Sequence, residues 1–482
     1  MQTQKNIFYN VLLAVSQLLF PLITFPYLAR TLGPDQIGLL NFAESISRYF
    51  ILIAALGIPI YGVREIAKQQ EDTAKRTLVF FEIAFINLIT TVVLSVCFIC
   101  IVFWIPTLHK ELPLFGWAIA YFFLQMFYFE WFFTGMNQFK FIALRSFTIR
   151  FLFIIFVLVF IKAKSDYIKY MQMQVALSAI IAMINFKHLY SLLDLRQITF
   201  GKLNLRQHLK PLFILFLTIF SISIYFSLDT ILLGFLANNE SVGYYASALK
   251  LTKLIIAVLG SISVALFPQM INFYHNGGVE KFSKMVKQCY SLILSLSIPI
   301  VILLAGMADD VIYLLLGQNF FRAVLPLQIT APLILIVSLS GIFGFQILSA
   351  LSKDKSILFS AIVGMLVSII LSILLVPKYM ENGEAITILI TELSVCLSFI
   401  YFSAKYFNLK GYGKIFFQQL FESIPYIIIL ILIKYTIDLY IYRLILTAIL
   451  SFSWFCILNF YIHTNSIYKS QLIRILDKIR VK

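Results

Sequence analysis

Charge is what this sequence has least of. Asp, Glu, Lys and Arg make up 12% of its 482 residues, against roughly 25% in soluble domains, while 61% are hydrophobic. No water-soluble fold can hide that much apolar surface. Chemical signatures are missing too. There is no GxxxxGK[ST] loop to cradle nucleotide phosphates and no HExxH, and the five histidines are scattered through loops and chain ends. ATP-driven work by this chain alone is thereby excluded. The five cysteines, Cys97, Cys100, Cys289, Cys396 and Cys456, fall inside or at the edge of apolar runs. Cys97 and Cys100 form a CxxC, but in hydrocarbon, with no second pair or nearby histidine, the spacing reads as packing and not as metal or redox chemistry. The N-terminus carries only Lys5 before a long apolar run through Pro21 and Pro26 with no small-residue cleavage site, so the first helix is expected to be retained.

Long apolar runs, in contrast, recur along the whole chain. A hydrocarbon core about 30 Å thick needs about 20 apolar residues of helix. The expected fold is therefore an all-α integral membrane protein of about fourteen transmembrane helices. Their expected spans are 6–30, 36–61, 77–104, 113–135, 141–162, 168–190, 209–236, 243–268, 285–308, 322–349, 356–376, 383–407, 415–437 and 442–464.

The net charge of +16 is an orientation signal. Lysines and arginines concentrate in alternate loops: around Arg64, Lys68, Lys75 and Arg76, from Lys187 to Lys210, and in the tail from Lys469 to Lys482. The positive-inside rule places these loops and both termini in the cytoplasm. The loops are too short for a nucleic-acid-binding domain, and no nucleic-acid partner is expected.

One internal repeat stands out. Ala29–Ala43 reads ARTLGPDQIGLLNFA and Gly234–Ala248 reads GFLANNESVGYYASA, an offset of 205 residues. In that register Asp35 meets Glu240, Ile37 meets Val242, Gly38 meets Gly243 and Ala43 meets Ala248. The offset equals six helices, so two parallel six-helix repeats are expected, with a substrate path between them as in transporters built this way. The expected division is 1–190 for the first half, 191–208 for a cytoplasmic linker, 209–407 for the second half and 408–482 for two extra helices and a basic tail. Prolines at Pro21, Pro26, Pro59, Pro268, Pro299, Pro326 and Pro332 mark hinges or static kinks.

A charge at mid-bilayer costs roughly 2.5–3.5 kcal/mol on insertion scales, so those that persist face a cavity, a partner or a pathway. Glu44 and Arg48 lie in the second span, Lys250 and Lys253 in the eighth, and Arg48 and Lys253 are equivalent in the repeat register. Converging from two halves, Arg48, Lys250 and Lys253 would hold an anionic head group such as pyrophosphate. In the plainer reading, Glu44 and Arg48 neutralise each other one turn apart, and the lysines snorkel to the interface. Glu82, Glu130, Asp229 and Glu392 are the acidic counterparts. Asp229, with no basic residue within a turn, suits either proton or sodium coupling or a distant ion pair. Glu130 would couple ions or orient a helix end.

Taken together, ARTLGPDQIGLLNFAESI (Ala29 to Ile46), GIPIYGVREIAK (Gly57 to Lys68), FEWFFTGMNQFKFIALRSFTIRF (Phe129 to Phe151), KAKSDYIKY (Lys162 to Tyr170) and LDTILLG (Leu228 to Gly234) resemble the Wzx-type flippases of the polysaccharide transporter group. These are relatives of the multidrug and toxin extrusion transporters. The resemblance covers most of the first eight helices; beyond the tenth it is mainly hydropathy. It implies a non-enzymatic flippase in a bacterial inner membrane. Its cargo would be undecaprenyl-pyrophosphate-linked oligosaccharide, carried from the cytoplasmic to the outer leaflet by alternating access for O-antigen, capsule or a related polymer. It implies no cofactor beyond a proton or sodium gradient, and as partners the bilayer, the glycolipid, a polysaccharide polymerase and chain-length-control proteins. A drug extruder shares the architecture but suits an acidic cavity better than basic pairs. A glycan polymerase or ligase would carry a large outward loop, whereas the longest here, near Met307 to Phe321, holds little beyond Asp309 and Asp310.

Overall fold

The computed structural model describes residues 2–194, 203–223, 228–274 and 278–458. Part of the expected linker (195–202) and the expected basic tail lie outside the described residues.

Within them the chain is helical. Ten helices are long and apolar enough to cross a membrane, and a pair bent by 42°, Gln318–Thr330 with Leu333–Ser349, would make an eleventh. Two of the ten are too long for one crossing. At 1.5 Å per residue, Leu19–Ala67 would run about 74 Å and Asp354–Tyr406 about 80 Å, more than twice the hydrocarbon thickness. Each is broken by a positive-φ residue. Gly33 (φ 81°) precedes Pro34, whose fixed φ suits the first position of a new helix. At Met380 (φ 48°) the second folds back on itself. Ser360 meets Ser398 at 2.7 Å, the Ser372 hydroxyl donates to Glu384 at 2.9 Å, and Gly364 lies against Val395. All three pairs are centred within about two residues of Met380, which makes the segment a helical hairpin. The described residues do not by themselves add up to fourteen crossings, because the seventh expected span, 209–236, contains residues 224–227, outside the described set.

Local chemistry explains the other ends. Asp72 caps Thr73–Trp104 by accepting the Lys75 N–H at 3.0 Å. That bond and the Lys75 ammonium hold the Asp72 carboxyl below the usual carboxylate range. The second expected span, 36–61, ends early at Leu56 and Gly57, both with positive φ, and Pro59 opens a separate helix, Ile58–Ala67. The Thr90 hydroxyl donates to the orphaned Ala54 carbonyl at 2.8 Å.

Internal contacts divide the chain into two compact units, Met1–Gly243 and Tyr244–Lys482. The first has an aromatic core in which Phe80 stacks on Trp131 at 5.6 Å, with Phe132, Phe133 and Tyr61 buried around them. The core of the second is built on Phe282, Tyr290, Phe343, Phe407 and Tyr412. In the second unit Lys434 pairs with Asp309 at 2.9 Å and Arg443 with Asp310 at 3.1 Å, fastening Ile424–Thr436 and Tyr440–Ile457 to Ala308–Leu316. Apolar side chains not needed in the cores face outward, where lipid solvates them. Trp104 and Tyr435, each 88% exposed, sit near helix ends as interfacial aromatics do.

The repeated loops meet within the first unit. A Cβ on Gly38 would fall 1.6 Å from the Asn239 carbonyl oxygen, and one on Gly243 would fall 1.9 Å from the Pro34 carbonyl oxygen. Under the 205-residue offset Pro34 corresponds to Asn239 and Gly38 to Gly243, so the contact is reciprocal, as across a two-fold axis. Only glycine permits such backbone-to-backbone approach, the usual way membrane helices cross closely.

Candidate functional site

A break in one helix organises the polar interior of the first unit. The expected span 113–135 is interrupted: Leu112–Gln125 tightens through Met126–Tyr128, reverses at Phe129 (φ 46°) and resumes as Glu130–Gly135. A left-handed phenylalanine costs on the order of 1–3 kcal/mol, and the break leaves carbonyls without helical partners. Asn185, fully buried, supplies them. Its amide donates to the Phe127 and Tyr128 carbonyls at 2.9 and 2.7 Å, and its side-chain oxygen accepts from the Arg145 guanidinium. Arg145 donates its other terminal nitrogen to Glu130 at 2.8 Å and lies 5.6 Å from the centre of the Phe141 ring. Its side chain is 2% exposed and that of Glu130 53%. The pair is thus buried at the arginine and open at the carboxylate.

Beside this network lies a cavity of about 310 Å³, lined by Tyr121, Tyr128, Glu130, Arg145, Arg150 and Gln174, together with serine and apolar side chains. The Tyr128 and Ser178 hydroxyls bond at 3.1 Å, and Arg150 donates to Ser16 at 2.7 Å. Gln174 donates to Glu44 at 2.7 Å, and Tyr170 donates to the same oxygen at 3.3 Å.

The expected site residues are therefore placed as follows. Glu130 lines the cavity. Glu44 stands one hydrogen bond behind it and contacts Arg48 at 3.6 Å, the one-turn pairing their spacing suggested. Arg48 is 68% exposed and Glu44 18%. Asp229, buried in Leu228–Leu236, accepts the Thr230 N–H at 2.7 Å and its hydroxyl at 3.3 Å. Lys250, half-buried, and Lys253, exposed, belong to the second unit. Sequence reasoning missed Arg145, Arg150, Asn185 and Gln174. The signal was present for the arginines, which are cations inside the apolar helix Phe139–Phe160.

A second buried network sits elsewhere in the first unit. His208 contacts Glu82 at 2.8 Å through Nε2 and Tyr61 at 2.7 Å through Nδ1. Glu82 also accepts the Asn204 N–H at 2.6 Å and the Gln207 amide at 3.0 Å. With a neutral imidazole protonated on Nε2, Tyr61 donates to Nδ1 and Glu82 receives three donors. The network fastens Arg206–Ser223 to Ile58–Ala67 and Thr73–Trp104.

Residues 3–274, more than half of the sequence, match the family described as polysaccharide biosynthesis protein. The chain belongs to that family. Within it, a protein of Escherichia coli (strain K12) is 26% identical over 389 residues, covering 81% of this chain and 94% of its own length. One of Shigella dysenteriae is 24% identical over 408 residues, covering 82% and 98%. Both carry the name "Putative O-antigen transporter". Among solved structures, the lipid II flippase MurJ in an inward closed conformation superposes with a TM-score of 0.70 at 15% identity, covering 94% of this chain and 98% of that one. An inward-facing multidrug resistance transporter of the MATE family gives 0.65 at 16% identity, covering 81% and 94%. At such identities the two structures establish a shared fold and leave the cargo to the family. The cavity lies wholly within the matched span: its lining runs from Tyr121 to Ile181. This member of the polysaccharide biosynthesis family is thus a multi-pass membrane protein and a transporter, not an enzyme.

Proposed function

We propose that the protein is a flippase for undecaprenyl-pyrophosphate-linked oligosaccharide units, moving them from the cytoplasmic to the outer leaflet of a bacterial inner membrane. The observation that carries this reading is membership of the polysaccharide biosynthesis family together with a polar cavity maintained inside an apolar helical unit. Keeping Arg145, Glu130, Gln174 and Arg150 at membrane depth is expensive, and such groups persist where a pathway needs them. A lipid-linked glycan needs such a pathway only for its head, because its tail remains in the bilayer.

In this reading transport proceeds by alternating access. Arg48, Lys250 and Lys253 bind the pyrophosphate, and an ion gradient, proton or sodium, is coupled through Asp229 or Glu130. Both termini are cytoplasmic, and the exported unit passes to a polymerase and its chain-length regulators. The drug-extruder alternative shares the fold, but the curated relatives are named for O-antigen and the cavity carries two arginines. Deleting the gene in the host cell should abolish surface polysaccharide and accumulate the lipid-linked unit at the cytoplasmic face. Undiminished surface polysaccharide, with loss of resistance to cationic dyes, would overturn the reading in favour of an extruder.

A further inference from the structure

We propose that the cavity in the first unit is a sugar subsite: it receives one ring of the glycan, while the pyrophosphate is held elsewhere. This rests on the flippase reading above.

Size is the first argument. At about 310 Å³ the cavity stands at the lower end of the roughly 300–1,000 Å³ typical of small-molecule sites. It has room for a sugar ring and not for a whole oligosaccharide.

The lining is the second. A pyranose presents an apolar C–H face and a rim of hydroxyls, each of which both donates and accepts. The cavity offers matching surfaces: the rings of Tyr121, Tyr128 and Phe153, and the polar groups of Ser146, Ser178 and Gln174. Serine and tyrosine hydroxyls and the glutamine amide are themselves both donors and acceptors. The Tyr128–Ser178 bond at 3.1 Å can open to admit a sugar hydroxyl between them without leaving either group unsatisfied. A phosphate, which only accepts, would not exploit the accepting half of this set.

Charge is the third. The two arginines lining the cavity share it with one carboxylate, Glu130. Glu130 opposes Arg145 at 2.8 Å with its own side chain 53% exposed, and Glu44 stands behind Gln174. A diphosphate entering here would meet the Glu130 carboxylate, whose repulsion offsets part of the attraction of Arg145 and Arg150. A neutral polyol meets no such penalty, and a carboxylate accepting from adjacent hydroxyls gains charge-assisted bonds. The same Glu130 that disfavours the pyrophosphate therefore favours the sugar.

Two probes separate the parts of the cargo: undecaprenyl pyrophosphate, and the same lipid bearing a single sugar, prepared with N-acetylglucosamine, N-acetylgalactosamine and galactose. Binding of each to the purified full-length protein in lipid nanodiscs is measured for the wild type, for the double variant Tyr128→Phe/Ser146→Ala, and for Ser178→Met, which fills the space. The double variant keeps the ring and the helix and so guards against misfolding of Ser178→Met. We expect the glycosylated lipid that binds best to lose about tenfold in affinity, the scale of one or two hydrogen bonds, while undecaprenyl pyrophosphate changes less than about twofold. Equal losses on both probes, or no loss on the glycosylated lipid in the folded double variant, would overturn the subsite. Wild-type protein that binds neither probe would instead refute the flippase reading, and the subsite with it.

Discussion

Replacing Gly38 or Gly243 by alanine probes the closest glycine approaches among the described residues. Ordinary Cβ contacts lie at 3.4–4 Å, whereas the new methyls would stand 1.6 Å from the Asn239 oxygen and 1.9 Å from the Pro34 oxygen. The opposing segments must then separate by about 1.8 Å for Gly38→Ala and about 1.5 Å for Gly243→Ala. In both cases the obstructing atoms are backbone, with no side-chain rotamer to absorb the shift. Overpacking of this kind costs about 1–3 kcal/mol, and the backbone origin puts each change toward the upper end. The reciprocal geometry makes a sharper claim. Once the first methyl has forced the segments apart, the second finds room, so Gly38→Ala/Gly243→Ala should cost less than the two singles together, with a coupling of about 1 kcal/mol or more. Gly116 and Gly260, whose Cβ positions meet nothing within 4 Å, serve as controls: their alanine variants should be neutral or slightly stabilising. Thermal unfolding of the purified protein in detergent is the assay. Single variants as stable as the controls, or strictly additive costs, would refute the close reciprocal crossing.

Three other expectations concern the polar networks. Asn185→Leu should lower the melting temperature more than Glu130→Gln. It orphans two carbonyls and one guanidinium bond, at roughly 1–3 kcal/mol per buried group, whereas the amide oxygen introduced by Glu130→Gln could still accept from Arg145; the reverse ranking would contradict the Asn185 cap. His208→Phe should destabilise by about 1–3 kcal/mol by removing one of three donors from buried Glu82 and the partner of the Tyr61 hydroxyl, and adding Glu82→Gln should recover part of the loss, whereas simple additivity would show that the two do not act as a pair. Arg48→Ala/Lys253→Ala should abolish polysaccharide export at undiminished membrane abundance, and Asp229→Asn should remove any dependence on an ion gradient. A fully exporting double variant would discard the cationic head-group site.

Much of the architecture was legible because hydropathy alone determines which segments can enter a bilayer. The turns at Gly33 and Met380 fall in the short gaps left between expected spans. The break at Gly57 was signalled by Pro59, read as a hinge or kink inside one span, whereas the break at Phe129 was not legible, because a tertiary partner, Asn185, makes the irregular backbone tolerable. The Gly38–Gly243 equivalence could be read from the repeat, though not that the two glycines approach the opposite loop. Little of the site was legible: Glu130 was read as a candidate, whereas Arg145, Arg150, Asn185 and Gln174 were not. Glu44, Arg48 and Glu130 were visible as charges in apolar helices, as Arg145 should have been, but the Arg145–Asn185 contact spans forty residues and no sequence rule selects it.

Proteoliposomes give the decisive assay of flipping. The purified protein is reconstituted with a labelled undecaprenyl-pyrophosphate-linked oligosaccharide, and the rate at which the glycan becomes accessible to an external glycan-modifying enzyme is compared with that in protein-free vesicles. A flippase should accelerate exposure markedly, and the cavity variants should diminish that acceleration. No acceleration with several glycans, with or without a proton or sodium gradient, would contradict the flippase reading.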